Sequence, residues 1–301
     1  MCWNAFLIAH PLPGYFPAKT RWTRRNLNTP LLQHSIHHGV PPAARALIWK
    51  VFFSSRGRGV DLPTHYPWIG DSTRVTSILI SKDGSNDERV TAATLVIKEE
   101  TLPDVGTVGL VGLVCVDDAF RGSGLSHQLL SAATDLGKEK PYDGLVLWTN
   151  KPNVYVKHGF TVDSHDRYGT VRKRAATGRV GLLCHGLAGI TVEDRSSQGV
   201  PAFAQSVMAF SNHTASITVL RTQQGCTLIE WTGNWDAIFQ LIDRALPDEW
   251  NLNAPEDSGI YVELINRGYS SNLQMSSQRM VSNLSGKDFS NFPYISLLNR
   301  I

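Results

Sequence analysis

The chain is sparing with cysteine. Its four, Cys2, Cys115, Cys184 and Cys226, stand far apart and none belongs to a C-x-x-C pair. That gives no sign of a disulfide framework and points to reduced, mostly buried thiols in a cytoplasmic protein. Long apolar runs are also missing. The opening "MCWNAFLIAHPLPGYF" has only a few consecutive apolar residues, no basic segment before them and prolines at once after, which fits neither a signal peptide nor a membrane span. Charge is scarce as well, at 18% of residues with a net +3. The basic residues are mostly scattered, and the one patch, "RWTRR" (Arg21 to Arg25), has no longer basic face behind it, so nucleic acid is not an expected partner. His34, His37 and His38 lie close together without a carboxylate or cysteine, and no metal site is expected there.

What is present is ample material for cores, 301 residues with 42% of them apolar, a length that favours two domains or one large one. Residues 1–30 show no clear period and read as an N-terminal extension. "VPPAARALIWKVFFSS" reads as an amphipathic helix entered on Pro41 and Pro42, with Ala44, Leu47, Ile48 and Val51 forming its apolar stripe. A loop, "RGRGVDLPTHYPWIGD", follows. Two β-rich runs around Asp83, Gly84 and Asn86 make a hairpin signal. "VGTVGLVGLVCV" is apolar almost throughout, as a central strand is. A helix with Leu125, Leu129, Leu130, Ala133 and Leu136 on one side should end near Gly137. Then come a strand, "GLVLWT", a short helix, "NVYVKHG", stopped by Gly159, and a hairpin, "FTVDSHDRYGTVRKR". This order predicts a mixed, mostly antiparallel α/β sheet with helices on both faces over residues 31–178.

Between the apolar strand and the long helix stands "VCVDDAFRGSGLSHQLL", residues 114 to 130. Amides at a helix start lack partners within the helix and sit at the positive end of its dipole. Glycines let such amides approach an anion, so Arg121, Gly122, Ser123 and Gly124 form a candidate diphosphate cradle. A Rossmann fingerprint would need a third glycine, where Ser126 and His127 stand, and a carboxylate ending the next strand. A P-loop would need Lys-Ser or Lys-Thr. Both fail.

"RGSGLS" resembles the diphosphate loop of the Gcn5-related N-acetyltransferase (GNAT) family, with Arg121, Gly124 and Ser126 in place. "NVYVKHGF" resembles that family's tyrosine-bearing helix, with Tyr155 four residues before the pair Gly159-Phe160. The resemblance implies acetyl-CoA, or another acyl-CoA, as donor co-substrate and no metal. It implies that Arg121, Gly122, Ser123, Gly124, Leu125 and Ser126 hold the diphosphate. Val114, Cys115 and Val116 would pair with the pantetheine arm, and Asn150 or Asn153 would bond the donor further along. Tyr155 would stand near the sulfur and protonate the departing thiolate: a phenol's pKa of about 10 lies above that of a thiol, so it is present as a neutral donor and can support departure by general-acid catalysis. The acceptor would be a small-molecule primary amine, with a protein amine or a non-catalytic acyl-CoA sensor as alternatives, in a monomer or homodimer without membrane contact. The glutamate that many members carry on the central strand is missing. Glu99, Glu100 and His65 are candidate bases, and Asp117 and Asp118 more naturally cap the turn. Arg56, Arg58, His65, Tyr66 and Trp68 could line an acceptor pocket.

Residues 179–301 echo the second part of this pattern. "SITVLRTQQGCTLIEWTG" reads as a hairpin, "NWDAIFQLIDRAL" as a helix, "WNLNAPED" as a strand, and "GIYVELINRGYSSNLQMSSQRMV" as a tyrosine helix followed by paired strands. "EWTGNW" keeps one glycine, Gly233, and no arginine. The expectation is a smaller, degenerate GNAT-like domain without a cradle.

Overall fold

The structure, a computed structural model, describes residues 32–57, 59–83, 89–174, 178, 180–183, 187–289 and 292–301. The patch Arg21 to Arg25, Arg58, the turn residues Gly84 and Asn86, and Cys2 and Cys184 lie outside the described residues. No helix among those described is long and apolar enough to cross a membrane.

Strand β1 (Leu32–His38) alternates more and less exposed side chains, as a sheet edge does, and precedes helix α1 (Pro42–Phe52). The expected loop folds into a one-turn helix, α2 (Leu62–His65), flanked by two 3-10 turns. Val, Ile and Thr then dominate three runs, and such side chains suit a pleated surface buried on both faces. They form the meander β2 (Val75–Asp83), β3 (Arg89–Leu102) and β4 (Gly106–Val116), antiparallel throughout. Helix α3 (Leu125–Glu139) returns the chain to β5 (Gly144–Thr149), which is parallel to β4. Strand β6 (Thr161–Arg172) completes the first half.

The second half repeats the plan. Strands β7 (Thr191–Asp194), β8 (Ser206–Ser211), β9 (Ala215–Thr222) and β10 (Gly225–Gly233) form an antiparallel meander. Helix α4 (Trp235–Ala245) then leads to β11 (Glu249–Pro255), parallel to β10. Helix α5 (Ile260–Asn266) and strand β12 (Ser270–Asn283) follow.

Among the described residues the twelve strands join one sheet, in the order β1-β2-β3-β4-β5-β12-β6-β11-β10-β9-β8-β7. At its centre the halves trade strands: β12 pairs with β5 and β6, while β6 pairs with β12 and β11. The two hairpins expected at 160–174 and after Gly268 are therefore single long strands whose partners come from the other half. Gly169 explains the difference, since a Cβ there would overlap the carbonyl of Asn272. It marks a close approach of two backbones rather than a turn. Gly137 likewise lies inside the last turn of α3, where a Cβ would come within 2.8 Å of Leu284, and the helix runs on to Glu139.

Cores form on both sheet faces. On one, α3 buries Leu125, Leu129, Leu130 and Ala133 against Ile78, Leu95, Ile97 and Val111. On the other, α1 buries Leu47 and Ile48 against Leu79, Val96, Leu113 and Cys115. Each such leucine or isoleucine contributes about 1.5–3 kcal/mol.

Candidate active site

Past Leu110 the pairing of β4 with β5 stops, the last partners being Leu110 and Val146. On the β3 side, Thr94 pairs with Cys115 and Val96 with Gly112, so Leu113 and Val114 together oppose Leu95. This is a β-bulge, and Leu113 takes a left-handed φ of 48° to make it. A leucine held there costs about 1–3 kcal/mol, a strain that such strands carry where they are re-aimed. The bulge turns Val114 and Val116 toward the α3 side and Leu113 and Cys115 toward α1. The end of β4 thus faces a wedge rather than a neighbouring strand. Burial pushes the Cys115 thiol pKa far up and that of Cys226 up to about 12, so neither is a nucleophile at neutral pH.

The chain leaves β4 through a 3-10 turn capped by Asp117, whose carboxylate accepts from the Ala119 amide at 3.0 Å and pairs with Lys50 at 2.7 Å. The Ser123 hydroxyl donates to the Phe120 carbonyl, and exposed Arg121 pairs with Asp118 at 2.5 Å. Gly122 and Gly124 take φ of 80° and 79°, and a Cβ on either would meet nothing within 4 Å. No acceptor among the described residues meets the backbone N–H of Gly122, Ser123, Gly124, Leu125, Ser126 or His127. Helix α4 differs at the same point: the Asn234 side chain caps it, accepting from the Ala237 amide at 2.9 Å. The first half therefore offers an open row of amides at a helix start, an arrangement able to hold an anion, and the second closes the same position with its own side chain.

"NVYVKHG" forms two 3-10 turns, Pro152–Val154 and Val156–His158, instead of one helix, and Gly159 at φ 79° ends them. Tyr155 lies between the turns, 9% exposed, in one cluster with Val114, Val116 and Leu125, its ring edge-on to Phe160 at 6.1 Å. Burial raises its phenol pKa, against a smaller opposing effect of a hydrogen bond with Thr149. The group stays protonated at neutral pH and can donate. Asn150 and Asn153 are exposed beyond the end of β5.

The structure thus brings together the end of β4, the open amides and Tyr155. It ties up the candidate bases. His65 accepts from the Val60 amide at 3.1 Å through Nε2, donates from Nδ1 to the Val200 carbonyl at 2.6 Å, and stacks on Phe53. Glu99 bonds Tyr142, and Glu100 pairs with Arg74 and Lys98. Tyr66 and Trp68 are half-buried beside Leu113. Sequence reasoning missed three features here. Thr149 is the partner of Tyr155. His127 Nδ1 lies 3.0 Å from His158 Nε2, linking the cradle to the tyrosine turn. Ile301 packs over Gly112, at the foot of the bulge. The close approach of Gly112 is the one of these with a sequence signal, a glycine inside an apolar strand.

No protein-family model matches the sequence, and no curated protein matches it. Solved structures do match. A GCN5-related N-acetyltransferase from Kribbella flavida superposes with a TM-score of 0.54 at 11% identity, over 87% of this chain and 73% of that one. Eis1 from Mycobacterium abscessus gives 0.52 at 11% identity, over 82% and 73% of the two chains. A GCN5-related N-acetyltransferase from Anabaena variabilis gives 0.52 at 11% identity, over 83% and 72%. The matched lengths exceed either half, so the likeness spans both. The chain has the fold of the GCN5-related N-acetyltransferases.

Proposed function

We propose that this chain is an N-acyltransferase that moves an acetyl group from acetyl-CoA to a primary amine of a small molecule by direct attack. The observation that carries this is the row of unpartnered amides from Gly122 to His127, next to the β4–β5 wedge and the buried phenol of Tyr155. Acetyl-CoA supplies the activated acyl group. The amides and the dipole of α3 hold its diphosphate. Backbone groups of Val114, Cys115 and Val116 bind the amide-bearing arm along the β5-facing edge of β4, and an amide at Val116 or beside it polarises the carbonyl. Tyr155, buried and protonated, gives its proton to the departing thiolate, while Asn150 and Asn153 bond the donor further along. The amine attacks in its neutral form.

Residues 31–178 hold this machinery. In residues 179–301 the capping Asn234 fills the position of the cradle, and that half serves as structure and as part of the acceptor side. Its Val200 amide donates to the Thr64 carbonyl at 3.1 Å, docking the second half on α2.

Mass spectrometry of an amine mixture incubated with acetyl-CoA and the protein tests this reading. A mass gain of one acetyl group is expected on some amine, and Tyr155→Phe should slow the reaction by about a hundredfold or more. An equal rate in the variant removes Tyr155 from proton transfer. Gly124→Glu places a side chain and a like charge in the cradle, and calorimetry should show coenzyme A affinity falling at least about tenfold, 1.4 kcal/mol. Unchanged affinity would move the diphosphate elsewhere.

A further inference from the structure

The segment 292–301 crosses the α1 side of the sheet and ends its described course on the β4 bulge. Phe292 and Ile295 pack on Val108, Leu110, Val146 and Val281, and Ile301 joins the cluster of Leu113, Tyr66 and Trp68. A Cβ on Gly112 would overlap the Ile301 side chain and carbonyl. Two buried cations hold this placement. Lys98, 6% exposed, donates to the Asn299 carbonyl at 3.3 Å and lies under Trp68. Arg300, 9% exposed, forms a two-pronged pair with Asp166, 4% exposed, and its guanidinium covers the Trp148 ring at 4.5 Å. The Ser277 hydroxyl donates to the same carboxylate at 2.9 Å, and Arg300 Nε donates to the Ile295 carbonyl at 2.9 Å.

Burying a cation is costly unless it is paired and bonded, and an aliphatic side chain alone would pack the segment more cheaply. What the two cations secure is position. The cradle and Tyr155 lie on the α3 side of β4, and Gly112, Leu113 and Ile301 on the other. A thioester held in the wedge is therefore bounded on the α1 side by Ile301.

We propose that Ile301, held by Lys98 and the Arg300–Asp166 pair, is the wall that sets which amines reach the thioester and keeps water from it. Ile301 is the specificity-determining residue, and Lys98, Arg300 and Asp166 are positioning residues. The inference rests on the acyl-CoA donor site proposed above. Where the wall is cut back, water attacks the thioester carbonyl, the C–S bond breaks, and acetate and the free thiol of coenzyme A leave.

The test uses the full chain as parent, Ile301→Ala, Ile301→Leu and Arg300→Lys. Coenzyme A affinity is measured by calorimetry, thiol release from acetyl-CoA without amine by a thiol-reactive dye, and kcat and KM with ethylamine and 2-phenylethylamine. In Ile301→Ala, affinity should stay within about twofold, thiol release should rise, and kcat/KM for phenylethylamine over ethylamine should rise about tenfold, mainly through KM. Arg300→Lys, which keeps the charge but loses the fork, should shift both readouts the same way, and Ile301→Leu should restore the parent's values. Intact affinity with equal thiol release and an equal ratio in parent and Ile301→Ala, including no turnover in either, overturns the wall. A parent that binds no coenzyme A overturns the donor site itself, and the wall with it.

Discussion

At Tyr155 a buried position does two jobs. The ring closes the core between Phe160 and the end of β4, and the same burial keeps the proton on the phenol, so that a neutral donor stands there at neutral pH. His158, three residues on, shows the opposite sign. Burial first, and the neighbouring His127 second, lower its pKa from the usual 6.5. The folded chain therefore favours the neutral ring, and the unfolded chain binds the extra proton at a higher pH. Stability from this group is full above about pH 6.5 and falls as the pH drops from there through the lowered folded value. Denaturant melts between pH 7.5 and 5 should show a loss that His158→Gln reduces. An undiminished loss would place the titration on another group.

Between elements, the two helices that follow the parallel-paired central strands start differently, and the difference is measurable. Asn234→Ala should cost about 1 kcal/mol as a lost N-cap, seen as a lower denaturant midpoint with unchanged slope, and should leave coenzyme A binding untouched. The elements that the sequence announced are those with local causes. Pro41 and Pro42 at the entry of α1, the leucine stripe of α3 and the glycines at 122 and 124 are each legible within a few residues, and so was the tyrosine turn ended by Gly159. Elements with distant causes were not. β1 has no periodic apolar signal because one of its faces is exposed and the other only half-buried. Gly169 resembles a turn residue until Asn272, a hundred positions away, is seen to press on it. Neither Ile301 nor Arg300 carries a local pattern that points to the bulge, since their roles depend on distant partners such as Gly112 and Asp166.

For the whole molecule, the exchange of β6 and β12 sets the unit that can fold. β5 has β4 on one side for three residue pairs only, and β12 covers its other side along its full length. Residues 32–178 expressed alone would lose β12 and expose the cluster that buries Met280. We expect no cooperative unfolding transition from that fragment, and recovery of one when residues 179–301 are supplied as a second chain; a fragment that melts cooperatively alone would show that the exchange is not needed. The trade also fixes a delay. Ser270, the first residue of β12, is made about 120 residues after Thr149, the last of β5, which at ribosomal speed is on the order of ten seconds. Throughout that interval the edge of β5 that β12 will cover has no mate from β12, which leaves a nascent chain open to pairing with other nascent copies of itself before its sheet closes.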